Sequence, residues 1–401
     1  MPSHRVPAEF SPNRLARLLE EKRRAGRPLL DLTRTNPTQA GLPPPDPGIL
    51  ASLADPRALA YEPDPRGIAA AREAAAAYLS GRGDHAATVP ADRVYLTAST
   101  SEAYAHLFRL LCDPGDEVLA PRPSYPLITP IALLEDVSVH AYRLAYDGAG
   151  WRLDVDSLEA ALTPRTRAVV LVEPNNPTGS SLDAPELARV EAICRERRLA
   201  LISDEVFGDY PHRPRGRPLP GLFGGRSVPT LVLGGISKSC GLPQLKLGWI
   251  AADGPEEALA EILPGLEWIL DLFLSVGTPV MGALPRLLAE RGPFQAAVRE
   301  RIGENLGILD EAAARSGGAL EPFRAEAGWS AVLRLHPPAG GPAPDEDVAE
   351  WALRRHDVSL HPGHFYDLGH DDLAVVSLLT EPPVMREALR RVAGNQGEGN
   401  R

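Results

Sequence analysis

The feature that most constrains the fold of this chain is a series of short, wholly apolar segments separated by helical patterns. Such segments are typical of strands buried on both faces, and the helices between them favour a mainly parallel sheet covered on both sides. The predicted strands lie at 94–97, 117–120, 137–142, 168–173, 199–203, 230–234 and 247–251, with helices at 102–112 and 185–197. The pattern therefore predicts an α/β fold.

Two further regions follow the predicted sheet. A long helical pattern runs from about residue 255 through 289. A second region, from about 291 to 393, has its own strand at 331–335 and a closing helix at 384–392. With 401 residues, the chain is long enough for two or three domains with separate cores.

Composition and charge argue against several classes of function. The net charge of −11 offers nucleic acid and anionic membranes no general attraction, and we expect neither as a partner. No run approaches the ~18 apolar residues of a membrane span, and the polar N-terminus lacks the apolar core of a secretory signal. The three cysteines, Cys112, Cys194 and Cys240, have no paired spacing, so we expect a cytoplasmic protein.

Lysine is rare in this chain, and two of its lysines lie close together. Of 42 basic residues only Lys22, Lys238 and Lys246 are lysine, and the last two are eight residues apart. Arginine stays protonated in proteins, whereas a buried lysine can lose its proton and act as a nucleophile or a base. Chance or a solvated loop is the alternative explanation.

Polar groups follow four of the predicted strands at their carboxyl ends. They are residues 99–101, the segment 175–179, Asp204, and Ser237 with Lys238. Ligands of open α/β sheets bind outside these ends, so residues far apart in sequence should converge on one crevice. Any one of these groups alone is more typical of a helix cap or a turn. The four together, with a lysine among them, indicate a site.

The chemistry of these groups matches one cofactor. The hydroxyl-rich helix start at 99–101 can cradle a phosphate, to which Lys246 adds charge. A buried Asp204 can hold a protonated ring nitrogen, and Asn176 can donate to a ring oxygen. Lys238 can form an imine with an aldehyde. A phosphate, a pyridinium, a phenolate and an aldehyde are the groups of pyridoxal 5'-phosphate.

The motifs of this sequence resemble those of a known family, the fold-type-I aminotransferases of class I and II in the aspartate aminotransferase superfamily. The resemblance covers about residues 30–390. Its motifs are DLTRTNPT (31–38), YEPDPRGIAAAR (61–72), LTASTSEAY (96–104), PRPSYP (121–126), EPNNPTG (173–179), SDEVF (203–207), SKSCGLPQLKLGW (237–249) and HPGHF (361–365). It implies a three-layer α/β/α large domain over 46–289, a small α+β domain from 1–45 together with 290–395, and a disordered tail at 396–401.

The resemblance also implies a role for each matching residue. Lys238 would form the Schiff base with pyridoxal phosphate and shuttle the proton, and Asp204 would pair with the pyridine nitrogen. Tyr61 would reach the phosphate of the neighbouring subunit, so the active unit would be a homodimer. The other cofactor-binding positions are Ser99, Thr100, Ser101 and Ser237 at the phosphate with Lys246, Asn176 at the ring oxygen and Tyr125 stacked on the ring.

The sequence departs from the family pattern at four positions. Lys246 stands where a second arginine is usual, Phe207 where many relatives have tyrosine, and Gly235 where a serine or threonine is frequent. The fourth is the arginine that reads the substrate carboxylate, whose position aligns with Val375 in the run 373–379. Either another group binds the carboxylate or the substrate presents none there.

Four residues are candidates for substrate contact, because DLTRTNPT and HPGHF should flank the substrate. They are Arg34, Asn36, His361 and His364. A surface position is the alternative for Arg34, and loop polarity is the alternative for the two histidines.

The predicted activity is a pyridoxal-phosphate-dependent amino transfer between an amino acid, or a related amine, and a 2-oxo acid. Alternatives with the same cofactor are a carbon–sulfur lyase or another α,β-eliminating enzyme, and a biosynthetic oxidase or cyclase; Val375 and Phe207 favour these. The effector module of a transcription factor is a rival, against which the short segment before DLTRTNPT argues. A cofactor-free homologue is another, against which Lys238, Asp204 and Asn176 argue.

Overall fold

The computed structural model describes residues 3–7, 10–82, 87–212, 221–274, 276–337, 341–343 and 345–394. Within them the α-helices are α1 (Arg14–Arg24), α2 (Ala69–Ser80), α3 (Thr100–Leu111), α4 (Ile128–Leu134), α5 (Val155–Ala161), α6 (Ala184–Arg197), α7 (Ile236–Ser239), α8 (Glu256–Phe273), α9 (Thr278–Ala289), α10 (Gly292–Arg315), α11 (Val348–His356) and α12 (Pro382–Val392). The strands are β1 (Leu30–Asp31), β2 (Val94–Thr97), β3 (Glu117–Arg122), β4 (Ser138–Tyr146), β5 (Trp151–Leu153), β6 (Thr166–Val172), β7 (Ala200–Asp204), β8 (Thr230–Gly235), β9 (Gly248–Asp253), β10 (Leu320–Pro322), β11 (Ser330–Leu335), β12 (Val358–Ser359), β13 (His361–Pro362) and β14 (Leu373–Ser377).

The largest sheet has eight strands in the order β2-β9-β8-β7-β6-β3-β4-β5. The pairings at its centre, from β8 through β7, β6 and β3 to β4, are parallel. β9 is antiparallel to both of its neighbours, so β2 runs in the same direction as β8. The carboxyl ends of β2, β6, β7 and β8 therefore lie at one edge, and the mainly parallel sheet is confirmed.

Helices cover both faces of this sheet, because its strands are apolar on both sides. One face packs against α2, α6 and α9, with Leu79, Val190 and Leu284 in the shared core. The other face packs against α3 and α8, with Leu107 and Leu266 in a second core. The predicted layering of helices on a central sheet is thereby confirmed, and burial on both faces explains why central strands such as β7 and β8 show no alternation of polar and apolar residues.

A second sheet has four strands in the order β10-β11-β14-β13, paired antiparallel throughout. α10, α11 and α12 contribute Ile302, Trp351 and Leu389 to a core that includes strands of this sheet. β1 pairs with β12, which joins the N-terminal part of the chain to this region. The domain boundaries stay a prediction, and the predicted tail at 396–401 lies outside the described residues.

The helical pattern at 255–289 forms two helices, α8 and α9. α8 ends at Phe273, and Leu274 takes a φ of 67°, outside the helical region. α9 begins at Thr278 with Pro279 in its first turn, where the missing N–H of proline leaves no helical hydrogen bond unmade. Among the described residues, none of the helices has both the length and the apolar character needed to cross a membrane.

Candidate active site

A cavity of about 380 Å³ lies at the edge of the sheet where β2, β6, β7 and β8 end. It brings together the polar residues that follow those strands and aromatic residues from other parts of the chain. Its polar and aromatic lining includes Ser99, Thr100, Ser101, Tyr125, Asn176, Asp204, Phe207, Ser237, Lys238, Lys246, Trp329, Ser330 and Tyr366. A larger groove, of about 670 Å³, runs along α8 and contains none of these residues.

Lys238 stands in α7, a single helical turn that follows β8 directly. Its ammonium nitrogen is 4.9 Å from the ring centroid of Trp329 and 5.7 Å from that of Phe207. Burial lowers the pKa of Lys238 to about 8, and the negative charge of Asp204 opposes that shift. A lysine with such a pKa keeps a neutral, nucleophilic fraction near neutral pH.

Asp204 is the last residue of β7, and only 3% of its surface is exposed. Tyr104 donates a hydrogen bond to its Oδ2 at 3.1 Å, and the amide of Val206 donates to its Oδ1 at 3.2 Å. Burial raises the pKa of Asp204 to about 6, although both donors favour the charged form. A buried carboxyl oriented by two donors is suited to hold a positively charged ring nitrogen.

The N-terminus of α3 forms one wall of the cavity. Ser99 caps this helix by accepting a hydrogen bond from the amide of Glu102 at 3.1 Å, and Glu102 accepts one from the amide of Ala98 at 2.5 Å. The first amide groups of a helix have no partners within it, so they can bind an anion. Gly248 lets this N-terminus approach the sheet, because a Cβ there would lie 3.1 Å from the Ser99 carbonyl carbon and 3.2 Å from the Thr100 nitrogen.

Asn176 and Tyr125 border the cavity from the loops after β6 and β3. Asn176 accepts a hydrogen bond from the Ser330 hydroxyl at 3.3 Å. Its turn is held by Asn175, whose side-chain oxygen accepts from the Thr178 hydroxyl at 2.9 Å. Tyr125 is half-buried, which raises the pKa of its hydroxyl. An amide and an aromatic ring are therefore available on the cavity that contains Lys238.

The surroundings of Gly235 explain why this chain has a glycine where a serine or threonine is frequent in the family. This residue ends β8 and pairs with Gly248 on β9. A Cβ at Gly235 would lie 2.9 Å from the carbonyl oxygen of Leu247 and 3.0 Å from the Cα of Gly248. A serine or threonine would force the two strands apart, so close packing here replaces the hydroxyl that is frequent in the family.

Val375 occupies an apolar packing position on β14. It is 1% exposed and belongs to a buried cluster that also contains Tyr366. Its partners on the neighbouring strands are Val332 on β11 and His361 on β13. Among the cavity-lining residues that the structure describes, the cationic side chains are Lys238 and Lys246.

Arg34, Asn36 and Tyr61 do not line the cavity of their own chain. Arg34 is exposed, pairs with Asp31 at 3.3 Å and borders a separate cavity of about 230 Å³. The side-chain oxygen of Asn36 caps a short 3-10 turn by accepting from the amide and the hydroxyl of Thr38. Tyr61 is 76% exposed, which is compatible with a contact to a second subunit.

The two candidate histidines, His361 and His364, do not line the cavity either, and they differ in their neighbours. His364 is exposed, with Nδ1 3.5 Å from a carboxylate oxygen of Asp347. His361 is half-buried, and its Nδ1 is 3.0 Å from the hydroxyl of Tyr366, which lines the cavity. Burial lowers the pKa of His361, so this pair joins two neutral groups near neutral pH.

Tyr104, Trp329 and Tyr366 are site residues that the strand-end pattern does not predict. Tyr104 follows Thr100 by four residues on α3, so the helical period could have placed it on the same face. Trp329 and Tyr366 come from segments around the second sheet, and no spacing relates them to the strand ends.

The residues of the cavity fit pyridoxal phosphate. The N-terminus of α3 suits the phosphate, and the amine of Lys238, with its lowered pKa, suits the aldehyde. The buried Asp204, whose pKa burial raises, gains from pairing with the positive charge of the ring nitrogen. The fold and the site together define a class, the pyridoxal-phosphate enzymes built on a three-layer α/β/α sheet domain.

Comparison with known proteins narrows the class to a family. The family model for aminotransferase class I and II matches residues 29–297, about two thirds of the chain. The chain therefore belongs to this family, whose members use pyridoxal phosphate. A solved aspartate aminotransferase of Thermus thermophilus, a single mutant, is similar over 98% of this chain and 99% of its own, with 25% identity and a TM-score of 0.81.

This chain is also similar to three named proteins, and the similarity spans only part of the length of each. Nicotianamine aminotransferase 1 of Oryza sativa subsp. japonica is 33% identical over 55% of this chain and 44% of its own length. Glutamate-pyruvate aminotransferase AlaA of Escherichia coli (strain K12) is 30% identical over 68% of this chain and 66% of its own. S-alkyl-thiohydroximate lyase SUR1 of Arabidopsis thaliana is 32% identical over 59% of this chain and 51% of its own.

Proposed function

We propose that this chain transfers an amino group between an amino acid, or a related amine, and a 2-oxo acid, with pyridoxal 5'-phosphate bound at Lys238. The observation that carries the proposal is Lys238, an amine of lowered pKa on the same cavity as Asp204 and the N-terminus of α3. When bound, the cofactor supplies an aldehyde that takes up the amino group and a ring that accepts electrons.

The phosphate of the cofactor is assigned to the N-terminus of α3. There Ser99, Thr100 and Ser101 offer hydroxyls and amide groups, and the helix dipole favours a negative charge. Ser237 adds a hydroxyl. Lys246 adds a positive charge in place of the arginine that is usual in the family, and a compact ammonium is a sufficient partner for phosphate.

The ring of the cofactor is assigned to three side chains. Asp204 would hold the ring nitrogen in its protonated form, and Tyr125 would stack on the ring. Asn176 would donate to the ring oxygen, with its own oxygen already accepting from Ser330. Phe207 brings no hydroxyl to this oxygen, so Asn176 makes the contact without help from that position.

Lys238 is also assigned the proton transfer. With the cofactor bound, the amine of Lys238 would remove a proton from the substrate carbon and would return one to the carbon of the cofactor that carries the aldehyde. A pKa of about 8 suits both steps, because the neutral amine accepts a proton and the ammonium donates one near the working pH.

Substrate contact by Arg34, Asn36, His361 and His364 stays a proposal. His361 has the most support from its surroundings, since its partner Tyr366 lines the cavity. We expect His361→Ala to raise the KM of the amino donor more than Arg34→Ala does, and steady-state kinetics with a fixed acceptor measure both.

The cofactor part of the proposal is tested on the purified chain. We expect a yellow protein that loses its colour on borohydride reduction. Peptide mass spectrometry should then find the reduced cofactor attached to Lys238. Lys238→Arg keeps the positive charge but cannot bond the aldehyde, so borohydride should attach no cofactor at position 238 of this variant. A wild-type chain that gains no visible absorbance with added pyridoxal phosphate contradicts the proposal.

The reaction is tested with a panel of amino donors and oxo acids followed by mass spectrometry. Glutamate and pyruvate, the pair in the name of the Escherichia coli relative, are the first to try. Transfer of a labelled amino nitrogen to the oxo acid, with ping-pong kinetics, supports the proposal.

A lyase or another eliminating enzyme is the second candidate. Val375 and Phe207 favour it, and so does the similarity to a plant lyase. Such an enzyme would release an oxo acid and ammonia from one substrate without any acceptor. Nitrogen label found in ammonia, rather than in a new amino acid, would decide for this candidate.

We also propose a cytoplasmic homodimer in which Tyr61 reaches the cofactor phosphate of the neighbouring subunit. The exposure of Tyr61 supports this arrangement. The domains are proposed at 46–289 for the large one and at 1–45 together with 290–395 for the small one. The separate cores around the two main sheets support that division.

A further inference from the structure

We infer that Tyr210 is a positioning residue for Lys238: it holds the backbone of the lysine from one side, while Trp329, against which it packs, covers the amine from the other. The inference rests on the proposed function, because it assigns Tyr210 a part in the reaction of Lys238. We call Tyr210 and Trp329 the aromatic bracket.

The helical turn that carries Lys238 is too short to be stable without contacts from other parts of the chain. α7 has four residues, and a single helical turn is unstable in isolation. Side chains from elsewhere fix it: Tyr210 donates to the carbonyl oxygen of Lys238 at 2.5 Å, and Gln295 donates to that of Ser239 at 3.0 Å. The direction in which the lysine side chain leaves the backbone therefore depends on these contacts.

Tyr210 is itself held in place. It is 0% exposed, and its carbonyl oxygen accepts from the amide of Gly328 at 2.9 Å. The next residue, Pro211, forms a β-bridge with Ala327. The ring of Tyr210 packs edge-on against Trp329, with centroids 5.1 Å apart. A side chain with no room to move gives its hydrogen-bond partner a fixed position.

Trp329 packs against the amine of Lys238. Its ring centroid is 4.9 Å from the ammonium nitrogen, and it is 1% exposed. The bracket thus contacts both the carbonyl and the amine of Lys238. The other titratable groups that line the cavity are Asp204 on β7, Tyr125 after β3, Tyr366 before β14 and Lys246 before β9.

The position of this amine matters because it must meet both an aldehyde carbon and a substrate proton. A displacement of about 1 Å can cost on the order of 100-fold in rate. Without the Tyr210 hydroxyl, the carbonyl of Lys238 loses its partner, and the turn shifts or admits water. Better hydration favours the charged amine, so the pKa of Lys238 should move up toward that of an ordinary lysine.

The test compares Tyr210→Phe with a matched control. Tyr142→Phe removes the same kind of bond, since Tyr142 is 1% exposed and its hydroxyl donates to the carbonyl oxygen of Val170 at 2.8 Å, and neither of these two residues lines the cavity. The full chain is titrated by trace acetylation and peptide mass spectrometry after the cofactor is removed, and by steady-state kinetics with it. With Lys22, Lys238 and Lys246 as the only lysines, each labelling profile is assigned directly.

We expect Tyr210→Phe to lower kcat about tenfold with little change in donor KM, and to raise the labelling pKa of Lys238 by about one unit. Tyr142→Phe should lower the melting temperature alone. Equal behaviour of the two variants, with an unchanged Lys238 profile, overturns the inference. If Tyr210→Phe does not fold, Trp329→Phe probes the bracket from the amine side, where an unchanged profile and kcat overturn it.

The outcome is separable from that of the proposed function. A wild-type chain without amino transfer would end the proposed function, while the acetylation profiles of the cofactor-free chain would still decide whether Tyr210 sets the surroundings of Lys238.

Discussion

Asp204 is buried and receives two hydrogen bonds, and its pKa of about 6 leaves most of it charged at neutral pH. We expect Asp204→Asn to lower kcat on the order of 100-fold, because the amide retains the bond from Tyr104 but cannot stabilise a positive ring nitrogen. Steady-state kinetics at saturating cofactor measure the change. A coenzyme methylated on the ring nitrogen carries that charge permanently, so it should restore part of the lost rate.

Tyr104→Phe is the control for this prediction. It removes one donor to Asp204 and leaves the charge in place, so its kcat should fall less than tenfold. An Asp204→Asn variant within threefold of the wild type would show that the ring nitrogen has another partner.

Lys238 makes cofactor uptake dependent on pH. A neutral amine attacks the aldehyde, and burial lowers the pKa of Lys238 to about 8. After pyridoxal phosphate is added to the cofactor-free chain, we expect the rate of absorbance gain to rise with pH with a midpoint near pH 8. Stopped-flow absorbance measures the profile. A midpoint above 10 would mean that the amine is as hydrated as an ordinary lysine.

Single residues at strand ends could be predicted from the sequence, and residues that reach them from elsewhere could not. The cavity contains Asp204 and Lys238 because each follows a buried strand of one sheet, which the apolar runs reveal. Trp329 and Tyr366 arrive through packing between distant segments. Their contacts depend on three-dimensional placement, which no periodicity in the chain records.

At the scale of the elements, β9 approaches the start of α3 closely, and this contact positions the helix N-terminus to which the cofactor phosphate is assigned. Gly248→Ala would place a methyl group 3.1 Å from the Ser99 carbonyl carbon and 3.2 Å from the Thr100 nitrogen, both backbone atoms. We expect the helix N-terminus to shift and the affinity for pyridoxal phosphate to fall about tenfold, as measured by absorbance titration.

Gly307→Ala in α10 is the matched control for Gly248→Ala, because a Cβ there meets no heavy atom within 4 Å. It should leave cofactor affinity unchanged, and alanine's higher helix propensity should raise stability slightly. Equal cofactor affinity in the two variants would contradict the role given to Gly248.

The central strands of the large sheet were predictable because burial on both faces leaves an unmistakable apolar run, as in β6 and β7, whereas the three-residue β5 at its edge was not predicted. The short strands β10, β12 and β13 have two or three residues each, too few to show a period. The break between α8 and α9 follows from the backbone at Leu274, whose positive φ nothing in its residue type announces.

At the scale of the whole molecule, the order of the motifs along the chain is enough to indicate the family, and the matched family model confirms it. The motifs do not indicate the assembly of subunits in the same way, because a single chain shows only the surface that a partner would cover. Tyr61 is 76% exposed and Leu59 beside it is 92% exposed, which supports a contact between subunits at this segment.

Hybrid dimers decide whether Tyr61 acts across the subunit boundary. Tyr61→Phe alone should weaken pyridoxal phosphate binding about tenfold, because a phosphate contact is lost, and Lys238→Ala alone should be inactive. In a hybrid of the two, the site with an intact Lys238 receives Tyr61 from its Lys238→Ala partner, so that half of the sites should regain wild-type affinity and rate. If Tyr61 served its own chain, that site would lack it, and the hybrid would retain the weak binding of Tyr61→Phe. Differently tagged chains, purified as a mixed dimer and titrated with cofactor, separate the two arrangements.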